Sequence, residues 1–101
     1  MALTTAERVR NKFPFSGPPD YVIDQFIEDA QAWVEAYVGR TITSSDNYYN
    51  LARSLCTHRA LVFLILRKLE EATEEERDVL LRVLDETQAI IAEEKTALKR
   101  A

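Results

Sequence analysis

From Arg40 to Ala101 the chain contains neither glycine nor proline. These residues punctuate loops and interrupt regular structure. A stretch covering more than half of the 101 residues without them must build long, uninterrupted elements. Two Gly and three Pro in all are too few for a loop-rich or disordered chain, so the composition points to helices. The length predicts a single domain over residues 1–101 with one modest core.

Four helices are expected, giving an all-α small helical bundle: a short N-terminal helix plus three longer ones. Thr4 precedes Glu7 at the spacing of a capping box, which predicts helix 1 from about Thr5 to Lys12. Phe13-Pro14-Phe15-Ser16-Gly17-Pro18-Pro19 then stops it, with the phenylalanines expected to tuck the loop onto the core. In helix 2, Ile23, Phe26, Ile27, Ala30, Val34, Tyr37 and Val38 form one apolar stripe, with Trp33 at its flank. Asp20 suits the start of that helix and Gly39 its left-handed end. In the connection that follows, Thr41-Ile42-Thr43 reads as a brief extended piece, and Ser44, Ser45 and Asp46 all suit the next helix cap.

Helix 3 is expected from about Asn47 to Glu70. Its main stripe is Tyr48, Leu51, Ala52, Leu55, Val62, Phe63, Leu66 and Leu69, while Leu61, Leu64 and Ile65 point elsewhere. A helix apolar on most sides is buried on most sides. Helix 3 is therefore either central in its own fold or presents a second face to another chain. Helix 4 opens with a second capping box, Thr73 and Glu76, and carries Val79, Leu80, Val83, Leu84, Ile90, Ile91 and Leu98. Helices 3 and 4 form a long antiparallel hairpin, each roughly 35–42 Å long against roughly 28 Å for helix 2. Such a hairpin would overhang the helix 1–2 layer. The candidate subunit or partner interface is therefore Leu61, Leu64, Ile65, Ile90, Ile91 and Leu98, and residues 90–101 are a candidate docking extension. A packing that covers these residues within the chain is the competing expectation.

Charge is distributed unevenly. From Phe13 to Gly39 the chain has Asp20, Asp24, Glu28, Asp29 and Glu35 but no Lys or Arg; from Asn47 to Leu69 it has Arg53, Arg59, Arg67 and Lys68 but no acid. Asp24, Glu28 and Glu35 share one face opposite the apolar stripe. They are a candidate acidic surface, and Arg53, Arg67 and Lys68 a candidate basic one. Pairing of the two between copies would be a head-to-tail contact, which closes into rings; plain solvated faces are the alternative. Arg59, within the apolar stripe, is expected to snorkel or to pair opposite Glu86 and Thr87.

The sequence gives little support to catalysis. The only histidine is His58, with Ser54 and Val62 at four residues either side. Cys56 and His58 lie roughly 200° apart around a helix, and both read as structural. With one Cys there is no disulfide framework, and the carboxylates fall on solvent faces rather than converging as metal ligands. No glycine-rich phosphate loop is present. The expectation is no enzyme, no cofactor and no metal. The net charge of −4 argues against a general grip on nucleic acid. The longest apolar run, Ala60 to Leu66, falls far short of the ~20 residues of a membrane span, and the residues after Met1 do not read as a signal peptide.

Leu3-Thr4-Thr5 leads into a short helix, an amphipathic helix ends in Ala36-Tyr37-Val38-Gly39-Arg40, and a later helix begins with Tyr48-Tyr49 and continues through Ala52, Leu55, Cys56 and His58. This order resembles the head–tail connector (adaptor, or head-completion) proteins of tailed bacteriophages and prophages. The most specific piece is Tyr-x-Gly-Arg at Tyr37 to Arg40; the last helix is a generic match. The resemblance implies a virion protein at the head–tail junction, assembled in the host cytoplasm as a homo-oligomeric ring, usually a dodecamer. Its partners would be the portal protein and a stopper or tail protein. DNA would pass through the ring without sequence-specific binding, and Asp24, Glu28 and Glu35 could line that channel. The alternative reading is a small helical binding module, regulatory or antitoxin-like, dimerising through helices 3 and 4. A helical DNA-binding regulator is weaker, because helix 3 is too apolar to lie in a groove.

Overall fold

The computed structural model describes residues 2–100. Its four helices are α1 (Ala6–Arg10), α2 (Asp20–Val38), α3 (Tyr49–Leu69) and α4 (Glu74–Arg100), with no strand among the described residues. The molecule measures 42 × 26 × 19 Å with a radius of gyration of 13.6 Å, and at 1.5 Å per residue α4 alone accounts for the long axis.

The helix ends show how local sequence sets the elements. Thr5, not Thr4, caps α1: its hydroxyl accepts from the Arg8 amide at 3.3 Å. Thr4 turns inward, where its hydroxyl accepts a 2.7 Å hydrogen bond from that of Thr57 on α3. α2 ends where expected, with Gly39 at φ 88° and its amide donating to Glu35 O. A side chain there would be strained, which is why glycine occupies the position. α3 starts without a side-chain cap; Asp46 instead accepts from the Thr43 amide and pairs with Arg40. The α4 capping box is complete: the Thr73 amide donates to Glu76 Oε1 at 3.0 Å and the Glu76 amide to Thr73 Oγ1 at 3.3 Å. The Thr73 amide and the Lys68 ammonium hold the Glu76 carboxyl below its usual pKa.

α3 is the hub. α1, α2 and α4 all pack on it, and its buried residues, Ala52, Leu55–Leu61 apart from Arg59, Val62, Leu64 and Ile65, run round nearly the whole helix. α3 and α4 are antiparallel: Lys68 lies 3.9 Å from Glu76 beside the turn, and His58, earlier on α3, lies 2.8 Å from Glu94, later on α4. The overhang expected from helix lengths does not expose the apolar set, because Ile91 and Leu98 join the core beside Leu80. Phe13 is buried and Phe15 half-buried, meeting edge to face at 6.2 Å. Arg10 fastens that loop by binding Asp20 and the Pro18 carbonyl. Ile42 is buried, and its amide donates to Glu35 Oε2.

Candidate functional site

The apolar interface anticipated from sequence is mostly interior. Leu61, Leu64 and Ile65 are only 2%, 1% and 0% exposed. They belong to the core of their own chain, so they are not free to meet another one. Ile91 and Leu98 are likewise buried, and residues 90–100 of the candidate docking segment continue α4, while its last residue, Ala101, lies outside the described residues. Of the six candidates Ile90 alone faces solvent, at 40% exposure. The outward apolar side chains are instead Tyr21, Tyr37, Leu66, Leu81 and Ile90, with Tyr21 the most exposed at 74%.

Asp24, Glu28 and Glu35 line one groove of about 450 Å3 on the open side of α2, together with Gln31 and Ala2. The N-terminal segment forms its other wall, held by the Leu3 amide donating to Gln31 Oε1 at 2.7 Å. Glu35 is occupied by the Ile42 amide. Asp24 and Glu28 are exposed and make no ion pair within the described residues. Tyr21 lies on the same side of α2, since positions 21, 24 and 28 share a helical face.

The basic face does not survive as one surface. Arg53 turns to its own N-terminal segment: Nε donates to Leu3 O at 3.1 Å, Nη2 donates to the Tyr49 hydroxyl at 2.9 Å, and the guanidinium lies 4.7 Å from the Tyr49 ring centre. Lys68 pairs with Glu76 and only Arg67 stands free, exposed at the far end of α3. Sequence reading missed a second basic cluster. Arg8 and Lys12, at the end of α1, rim a groove of about 520 Å3 with Asn11, Asn50 and Arg53. Their four-residue spacing was visible in the sequence, but only the docking of α1 beside α3 shows that they join Arg53.

Polar chemistry in the interior is structural in geometry. His58 Nδ1 lies 2.8 Å from Glu94 Oε1, Ser54 hydrogen-bonds Glu94 Oε2, and Ser54 Oγ is 3.4 Å from the same His58 Nδ1. A nucleophile–base–acid relay needs serine and carboxylate on opposite ring nitrogens; here both share one. Cys56 is buried, and desolvation, with the Glu35 charge nearby, pushes its thiol up to about 12, which suppresses the reactive thiolate. Arg59 does not meet Glu86 or Thr87. Its guanidinium lies over Trp33 and Phe63 at 4.7 and 4.9 Å, with a buried Nε that has no hydrogen-bond partner. Among the described residues no three His, Cys, Asp or Glu side chains group to hold a metal ion, and no helix is long and apolar enough to cross a membrane.

The Tyr-x-Gly-Arg residues form a joint. Gly39 reverses the chain, and Arg40 pairs with Asp46 at 2.9 Å and lies against the Tyr48 ring and hydroxyl. The Thr43 amide, with Arg40 beside it, holds the Asp46 carboxyl below its usual pKa. The Tyr37 hydroxyl donates to Lys95 O at 3.0 Å. The end of α2, the start of α3 and the last turns of α4 are thereby tied together.

No protein-family model matches the chain, and no match is found among curated proteins or solved structures.

Proposed function

We propose that this chain is a structural assembly protein, a subunit of a head–tail connector ring of a tailed bacteriophage or prophage. The ring would sit beneath the portal, extend the DNA channel and join the capsid to a stopper or tail protein. It performs no catalysis and uses no cofactor. The observation that carries this reading is the joint built by Tyr37, Gly39, Arg40 and Tyr48. The residues on which the resemblance rests are the ones that link the end of α2 to the start of α3 and to the last turns of α4. Exposed Tyr21, Leu66, Leu81 and Ile90 on a closed core supply surface for docking. The alternative, a module dimerising through α3 and α4, is weakened because Leu61, Leu64 and Ile65 are already covered by their own chain.

The test is size-exclusion chromatography with light scattering across concentration and salt, followed by incubation with a portal ring. A mass near ten or more copies, or a monomer that joins the portal, supports the proposal. A stable dimer at every concentration that ignores the portal overturns it.

A further inference from the structure

Each molecule carries two charged, unpaired features of opposite sign at different places on its surface. One is the α2 groove with exposed Asp24 and Glu28. The other is the rim of α1, where exposed Arg8 and Lys12 form no ion pair within the described residues. Asp24 and Glu28 are one helical turn apart within α2, and Arg8 in α1 and Lys12 in the turn that follows it rim one groove together. Arg8 and Lys12 are exposed and carry long, flexible side chains, and the acidic groove is open to solvent. Tyr21, the most exposed large apolar side chain, shares the acidic face and offers its ring to a cation.

We infer that the α1 rim of one copy docks into the α2 groove of the next, with Arg8 and Lys12 meeting Asp24, Glu28 and Tyr21 in a head-to-tail contact. The inference rests on the assembly reading and deepens it by naming the contact. It replaces Arg67 and Lys68 as the basic partner, since Lys68 is spent on Glu76 and Arg67 lies at the opposite end of α3 from Arg53. The occupant is a second copy because the same chain supplies both complementary surfaces, whereas an overall charge of −4 disfavours a polyanion. Two different patches that recognise each other generate rings or filaments rather than a closed two-fold dimer. Engaged in this way, Asp24 and Glu28 face a neighbour and do not line a channel.

The experiment is a charge swap read by sedimentation velocity at low salt. One variant carries Arg8→Glu and Lys12→Glu, the other Asp24→Lys and Glu28→Lys. All four positions are exposed, so both variants should melt like the wild type. The wild type is expected to associate and to fall to monomer at high salt. Each variant alone should lose at least ~10-fold in association, and an equimolar mixture should recover it. Independently, carbodiimide coupling of mixed light and heavy isotope-labelled wild type should give a cross-link from Lys12 to Asp24 or Glu28 between copies. Wild-type-like assembly by either variant, a mixture that stays monomeric, or no such cross-link overturns the contact. A wild type that stays monomeric at low salt overturns it too, while the ring proposal remains open to the portal experiment. A ring indifferent to these charges sinks the contact and leaves the assembly reading standing. Salt-sensitive capture of a short DNA duplex by wild type, lost with Arg8→Glu and Lys12→Glu and without self-association, assigns the rim to phosphate and likewise overturns it.

Discussion

α3 and α4 lie side by side and both have apolar stripes, yet they are covered very differently. α3 is buried on nearly every side, while α4 buries one row, Leu80, Thr87, Ile91 and Leu98, half-buries neighbours such as Val83 and Leu84, and turns its other side to solvent. The cause is the number of neighbours: α1, α2 and α4 pack on α3, whereas α4 packs chiefly on α3. The apolar load of a helix thus reports how many elements surround it, and an excess over one stripe does not by itself require another chain.

That contrast can be broken most forcefully at the hub. Leu55→Ala on α3, fully buried, should cost about 2–5 kcal/mol in urea unfolding. Leu81→Ala on α4, at 42% exposure, should stay within about 0.5 kcal/mol. Comparable losses at the two sites would mean that α4 is covered by something beyond its own chain. Next in size is the seam between the two helices. Glu94→Ala leaves His58 Nδ1 and the Ser54 hydroxyl without their carboxylate partner and should cost about 1–3 kcal/mol. Glu94→Gln, which keeps an acceptor, should cost less in the same denaturation series.

Smaller effects sharpen the picture at the helix start and in the core. Thr73→Ala removes one half of the α4 capping box and should lower stability by about 1 kcal/mol, with thermal melting as the readout. Glu76 completes the box with its pKa lowered in the folded state. Its contribution is therefore present above the unfolded carboxyl value and lost as pH falls through the folded one, so Glu76→Gln should flatten the acid limb of the melting profile. Cys56 acts with the opposite sense. Its raised pKa adds stability below the ordinary thiol value of 9.0, and that stability is lost as pH climbs towards about 12. Cys56→Ala should remove this alkaline component, and the folded wild-type thiol should react with thiol reagents only as fast as the core opens.

Much of this architecture could be read from residue spacing. The α2 stripe, its Gly39 terminus and the Thr73–Glu76 box are local features, and local chemistry fixes them. What was not legible depends on how helices slide past one another. Sequence placed Arg59 opposite Glu86 and Thr87, but packing shifts the register by about a helical turn or more, so His58 finds Glu94 and Arg59 finds Trp33. The same limit hid the basic rim. Arg8 belongs to α1, Lys12 to the turn after it and Arg53 to α3, and only tertiary docking brings them to one groove. Spacing leaves Leu61, Leu64 and Ile65 open between core and interface, because it shows which way a side chain points on its helix, not what stands in front of it; the fold puts them in the core.

Trp33 is the chain's single tryptophan. The Arg59 guanidinium lies 4.7 Å and the Lys95 ammonium 5.4 Å from its ring centre, and the Tyr37 ring stacks at 6.4 Å. One cation comes from α3, the other from the last turns of α4, while the indole itself belongs to α2. The molecule therefore carries an optical gauge at the junction of its three long helices. Any docking event that lifts the end of α4 takes Lys95 off the indole and alters its emission, with no label attached.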